Sequence, residues 1–210
     1  MSISVSYKPE LGASKISDYL QGWEAGFVTA GHGAGATGGF NTSSMILPPT
    51  IGDQYATGSK TSNYAMIAES DTANGLNYVF KMFGAPSPNM NHYLWGSLDN
   101  VKLGQDLNGG KGTNFTLNEN NVSFNGLNLS APEGAGREGN PVHEVVYGLM
   151  KGNADPLEAT LNKLLAEYNL STAATFDQVA AAGPVAAPVA MPNLVLASAD
   201  QSWWDWAFAA

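Results

Sequence analysis

Three histidines are the side chains whose type and position suit them to chemistry: His32, His92 and His143. His32 stands amid Gly31, Gly33, Gly35, Gly38 and Gly39, a run that supports neither a stable helix nor a packed strand and so predicts a loop. His92 follows a second turn-rich stretch, Gly84-Ala85-Pro86-Ser87-Pro88-Asn89-Met90-Asn91, shortly after Tyr78. Loop residues carry function disproportionately because a rigid scaffold can aim them outward. His143 falls within a strong helix pattern and reads as a helix-face or core residue. Cysteine is absent, which removes disulfides, thiolate metal sites, iron–sulfur clusters and cysteine nucleophiles. Any metal chemistry must therefore use oxygen or imidazole.

Other motifs point away from catalysis. No His-x-x-x-His or His-Glu-x-x-His spacing occurs, which disfavours a helical zinc-hydrolase site. No serine sits in a Gly-x-Ser-x-Gly context, so a secreted hydrolase is the weakest reading. Gly109-Gly110-Lys111-Gly112-Thr113-Asn114 looks like a glycine-rich calcium repeat, but it occurs once and carries Asn114 where an acidic ligand belongs. It reads as a hairpin turn. The same glycines lack the Lys-Ser/Thr ending of a phosphate-binding loop.

The elements that must position these residues follow from periodicity. Ile3, Val5 and Tyr7 alternate with serines and predict a first strand. Ile16, Tyr19, Leu20, Trp23 and Phe27 lie on one face of an amphipathic helix. Strands are predicted over 64–68, 76–83, 93–103 and 121–129, with Gly126 marking a bulge. In 76–83, Leu76, Tyr78, Phe80 and Met82 share one face. Asn140-Pro141 predicts an N-cap and first turn, followed by the stripe Val142, Val145, Val146 and Leu149. Asp155-Pro156-Leu157-Glu158 predicts a second helix start with Asp155 as cap, and a shorter helix is expected over 173–182. The whole reads as a single α+β domain: a curved antiparallel β-sheet with α-helices packed on one face.

Eighteen acidic against nine basic residues give a net charge of −9, which argues against nucleic acid and anionic membrane surfaces as partners. No run approaches the roughly 18 apolar residues of a membrane span, and the N-terminus does not read as a secretory signal peptide. Composition alone leaves a cytoplasmic and an exported protein both open. Residues 183–210 begin with an Ala/Pro/Val-rich stretch, expected to be a flexible linker, and end Trp203-Trp204-Asp205-Trp206-Ala207-Phe208-Ala209-Ala210. Aromatics beyond such a linker pack back on the domain, drive association, or are read by another protein.

Several stretches together resemble the HasA-type haemophores, secreted bacterial proteins that capture haem. They are Val142-His143-Glu144-Val145-Val146-Tyr147-Gly148-Leu149-Met150 followed by Gly152, Thr175-Phe176-Asp177-Gln178-Val179, Val122-Ser123-Phe124-Asn125-Gly126-Leu127, Gly39-Phe40, Gln54-Tyr55-Ala56 and Leu94-Trp95-Gly96-Ser97-Leu98-Asp99. Their order and spacing cover nearly the whole chain to about residue 182. The resemblance implies a haem-binding domain over 1–182 and a C-terminal secretion-signal tail over 183–210. It also implies ferric haem b held between two loops, with Tyr78 and His32 as axial iron ligands. His92 would be the hydrogen-bonding partner of Tyr78, and Phe40, Phe80 and Met82 would hold the macrocycle, leaving one edge exposed. Met82 and Met90 are thioether alternatives as ligands. Two departures stand out: the interval from His32 to Gly38 is shorter than the family pattern, and that from Tyr78 to His92 is longer.

The chemistry is coherent on its own terms. Ferric iron is a hard cation that an anionic phenolate stabilises. A tyrosine has a pKa of about 10, so the metal's charge must favour loss of its proton, and a neutral His92 accepting that proton would assist. Protonating that histidine should weaken the phenolate–iron bond. The resemblance implies a carrier, not an enzyme, secreted to the extracellular space by a type I ABC exporter that reads an uncleaved C-terminal signal. It implies delivery to an outer-membrane haemophore receptor and admits host haemoglobin as a haem source, with no nucleic acid and no membrane insertion. The competing expectation is an exported adhesion or self-assembly module without cofactor, acting through the aromatic tail.

Overall fold

The computed structural model describes residues 3–27, 38–43, 50–81 and 83–182. His32, Met82 and the tail over 183–210 lie outside the described residues. The strands are β1 (Ser4–Tyr7), β2 (Gly38–Phe40), β3 (Ile51–Gly52), β4 (Gln54–Gly58), β5 (Tyr64–Glu69), β6 (Leu76–Val79), β7 (Tyr93–Asn108) and β8 (Thr116–Ala131). The helices are α1 (Ile16–Gly26), α2 (Pro141–Met150), α3 (Asp155–Ala166) and α4 (Phe176–Ala181). The strands form one sheet in the order β1-β8-β7-β5-β4-β2, with β6 on β7 and β3 on β6. Every pairing is antiparallel.

The expected α+β architecture is present, and its core is what the periodicity required. Val5 and Tyr7 of β1 and the preceding Ile3 are buried, as are Ile16, Leu20 and Trp23 of α1 and Val142, Val145, Val146 and Leu149 of α2. Helix α2 lies against β7, β8 and β5, α3 against α2 and β8, and α4 against β1. Asn140 caps α2 by accepting from the His143 amide at 3.0 Å. The 109–114 stretch is the β7–β8 hairpin turn, with Gly109, Lys111 and Gly112 at positive φ. The β7–β8 register slips between Leu98 and Asn100, opposite Gly126 (φ 72°), so the bulge falls where the phase of the pattern changes.

Five expectations need correction. The end of the glycine-rich run is not loop, because Gly38 and Gly39 belong to β2 and pair with Thr57 and Ala56 of β4. β7 and β8 run longer than predicted, 16 residues each, because they pair with each other along almost their whole lengths. β6 stops at Val79 rather than extending to residue 83. Beyond it the Lys81 amide and carbonyl bond to the Asn91 side chain instead of to a neighbouring strand, and Phe80 is half exposed, so the expected face ends with the strand. Asp155 is not the cap of α3, because Ala154 occupies that position with no side-chain cap. The Glu24 carboxylate of α1 takes the Ala154 amide and Asn153 Oδ1 takes that of Asp155 at 2.7 Å, so a tertiary contact has replaced the local one. α4 begins only at Phe176, where Thr175 and Gln178 form a capping box.

Candidate functional site

Tyr78 is fixed by its strand. β6 reaches β7 because residue 96 is a glycine at φ 112°: a Cβ there would lie 1.8 Å from the Gly75 carbonyl oxygen, and the Ser97 amide donates to that same oxygen at 2.9 Å. In the resulting register Tyr78 faces Leu94. The Tyr78 amide donates to the Thr50 carbonyl at 2.7 Å, while Leu94 turns its amide to His143 Nδ1 (3.4 Å) and its carbonyl to the Asn140 side chain (2.7 Å). Tyr78 and Leu94 are thus a pair without mutual backbone bonds, the closer kind in an antiparallel ladder. The strand carrying Tyr78 is flanked by β3 and β7, and Tyr78 itself is half-buried.

His92 arrives from the other end of the loop. Its Nδ1 lies 2.6 Å from Tyr78 Oη, with the donor set by whichever ring nitrogen carries the proton. The His92 backbone is left-handed (φ 56°), unusual for a side chain with a Cβ. Phe80, 52% exposed, brings its ring to 4.9 Å from the imidazole. Burial raises the pKa of Tyr78 above its ordinary 10, and the charge of nearby Tyr147 adds to the rise, so at neutral pH the metal-free phenol keeps its proton.

Of the residues singled out beforehand, Tyr78, His92 and Phe80 come together. Phe40 is buried in the core, 5.2 Å from the ring of Tyr55, on the edge strand β2. Met90 sits in the short 3-10 turn Pro88–Met90 of the second loop. His143 is buried in α2 as expected, and burial followed by the Arg137 charge pushes its pKa down to about 4.

Residue-by-residue reasoning missed Tyr55, Tyr147 and Met150. The Tyr55 hydroxyl donates to Met150 Sδ at 2.7 Å, and burial together with the charge of Tyr78 raises its pKa. Tyr147 stacks on His143 at 5.0 Å and carries the Lys151 ammonium 5.3 Å above its ring, a ladder at i, i+4 and i+8 on one face of α2. That helical spacing was the signal available in advance. Beside the ladder runs a groove of about 750 Å³, lined by Pro88, Asn89, Arg137, His143, Tyr147 and Lys151 among others. Among the described residues no group of three or more His, Asp or Glu side chains could hold a bare metal ion, and no helix is long and apolar enough to cross a membrane. A phenol hydrogen-bonded to an imidazole is an oxygen donor whose proton the imidazole can accept.

Comparison with known proteins gives concordant results. The family described as Heme-binding protein A (HasA) matches residues 1–202. The Hemophore HasA of Serratia marcescens is 37% identical over 185 residues, covering 88% of this chain and 93% of that protein. The holo hemophore HasA from Yersinia pestis superposes with a TM-score of 0.62 at 27% identity, over 84% of this chain and 95% of that one. An apo structure of the Yersinia pestis protein gives a TM-score of 0.60 at 27% identity, over 84% and 94% of the respective chains.

Proposed function

The chain belongs to the HasA heme-binding family, and from that premise we propose that it is an extracellular haemophore, capturing ferric haem at a Tyr/His loop site and delivering it to an outer-membrane receptor for iron acquisition. It is a carrier, not an enzyme, and haem is its cargo. The observation that carries the site assignment is the 2.6 Å hydrogen bond between Tyr78 Oη and His92 Nδ1.

Tyr78 is the axial ligand and His92 its partner. A raised pKa keeps the phenol neutral until the iron's charge displaces the proton, and the imidazole is within reach to take it as a hydrogen bond. Phe80, exposed beside the imidazole, offers apolar surface to the macrocycle. His32 is proposed as the opposite ligand, and Phe40 and Met82 as further pocket residues, on the resemblance alone. Residues 1–182 form the haem-binding domain, and 183–210 serve as the linker and the signal read by a type I exporter. The matches leave the adhesion alternative without support.

The test is a haemin titration followed by absorption spectroscopy on the intact protein and on Tyr78→Phe. A strong Soret band in the first and an altered spectrum with weakened binding in the second are expected. The loss should exceed the roughly 10–100-fold that follows removal of a ligand's hydrogen-bonding partner. Unchanged spectrum and affinity in Tyr78→Phe reject the ligand assignment.

A further inference from the structure

Between Lys81 and Asn91 the chain leaves the sheet and returns, and one side chain closes the neck. Asn91 Oδ1 accepts from the Lys81 amide at 2.7 Å and from the His92 amide at 3.1 Å, while Asn91 Nδ2 donates to the Lys81 carbonyl at 2.9 Å. The carboxamide therefore does the work of a strand partner at the point where β6 has stopped, with both its acceptor and its donor in use. The next residue is His92, whose left-handed backbone has no glycine to ease it and so persists only if its surroundings hold it. The loop has a second anchor at its tip. Asn89 accepts from the Arg137 amide at 2.9 Å and the Glu138 amide at 3.0 Å, and the Arg137 guanidinium donates to the Pro88 carbonyl. That anchor fixes the tip to the connection before α2 and touches neither Tyr78 nor His92. Asn91 alone among these side chains bonds directly to His92.

We propose that Asn91 is the positioning residue of the Tyr78–His92 pair: by closing the neck of the loop and holding the His92 amide, it fixes the turn that delivers the imidazole Nδ1 to the Tyr78 hydroxyl. The geometric part concerns this chain's own residues, while its consequence for haem retention rests on the function proposed above. Asparagine suits the task because it offers one acceptor and one donor on a short, planar arm. Aspartate would keep the acceptor for both amides but turn a carboxylate oxygen toward the Lys81 carbonyl in place of the donor, and alanine would lose all three bonds.

Two measurements test it. In the haem-free protein the nuclear Overhauser contact between the His92 and Tyr78 rings is read by NMR in the parent, Asn91→Asp and Asn91→Ala. The contact should be present in the parent, retained in Asn91→Asp and lost in Asn91→Ala. Retention in both variants, loss in both, or loss only in Asn91→Asp overturns the proposal. Should Asn91→Ala fail to fold, Asn91→Gln, which carries the same groups one methylene farther out, replaces it with the same expectation. In the haem-loaded protein, transfer of haem to an excess of a scavenging apoprotein should quicken in Asn91→Ala by up to the roughly 10–100-fold expected of His92→Ala. The double variant should then be no faster than His92→Ala alone. Effects that multiply in the double variant would mean that Asn91 acts elsewhere, overturning the proposal. A Tyr78→Phe protein with an unchanged haem spectrum would instead reject the ligand assignment, leaving the ring contact to decide Asn91 separately.

Discussion

His92 and His143 both meet the start of β7, His92 just before it and His143 through the Leu94 amide, yet their surroundings differ. His143, in the first turn of α2, is 4% exposed; its own amide is taken by the Asn140 cap and its Nδ1 accepts from Leu94. Regular structure holds it, and burial keeps it neutral. His92 is exposed, its backbone is left-handed, and its restraints are a side-chain amide behind it and a phenol in front. What the contrast teaches is that an asparagine oxygen takes the amide of each histidine, but only at His143 do a helix and burial follow, while His92 stays open to solvent.

The comparison can be broken first at His143, where the largest change in folding stability is expected. Its pKa falls from 6.5 to about 4 on folding, so between those values the unfolded chain binds the extra proton and stability rises with pH. The contribution is intact above pH 6.5, declines as the pH drops, and is fully lost below about 4. At about 1.4 kcal/mol per pH unit the ceiling is roughly 3 kcal/mol. Denaturant unfolding of the haem-free protein across this range should show that slope. His143→Gln, which still offers an acceptor to the Leu94 amide, should flatten it. An equal slope in both proteins would mean that the buried imidazole is not what acid attacks.

At His92 the effect should move from stability to binding. His92→Ala is expected to weaken haem retention by roughly 10–100-fold while leaving the unfolding free energy within about 0.5 kcal/mol of the parent. A competition assay against a scavenging apoprotein reads the first and denaturant unfolding the second. Haem retention unchanged alongside a large loss of stability would make His92 a structural residue like His143, and the contrast would disappear.

How far these two settings could be read from sequence differs in a physically sensible way. His143 was legible because the Val142, Val145, Val146 and Leu149 stripe and the Asn140-Pro141 start define a helix locally, and a helix assigns each position a face. The presence of β7 and β8, though not their full length, was legible from two-residue alternation, and the hairpin at 109–114 and the Gly126 bulge from their glycines. The Tyr78–His92 contact closes over thirteen intervening residues with no period, so residue types alone offered two unremarkable side chains, and only the resemblance to a family paired them. Asn91 was hidden further still: in a stretch rich in Pro, Ser, Gly and Asn it reads as one more turn former, and its partner Lys81 was expected inside a strand. The α3 start differed because Ala154, whose amide the distant Glu24 takes, holds the cap position one residue before Asp155.

Arg137 sharpens the comparison with the smallest effect, because it touches both regions. Its guanidinium donates to the Pro88 carbonyl in the loop that ends at His92, and its charge is the lesser of two causes lowering the pKa of His143. Its backbone amide, which bonds to Asn89, survives truncation of the side chain. Arg137→Ala should therefore raise the His143 pKa from about 4 toward 6.5 without reaching it, since burial remains, and should leave haem affinity within about twofold, a change of about 0.4 kcal/mol. An NMR pH titration of the His143 ring and a haemin titration read the two sides. A His143 that titrates at 6.5 in the variant would show that charge rather than burial holds it neutral. A haem loss as large as that of His92→Ala would show that loop and helix act as one unit, because the neck bonds at Asn91 would then be insufficient to hold the imidazole once the tip is loosened.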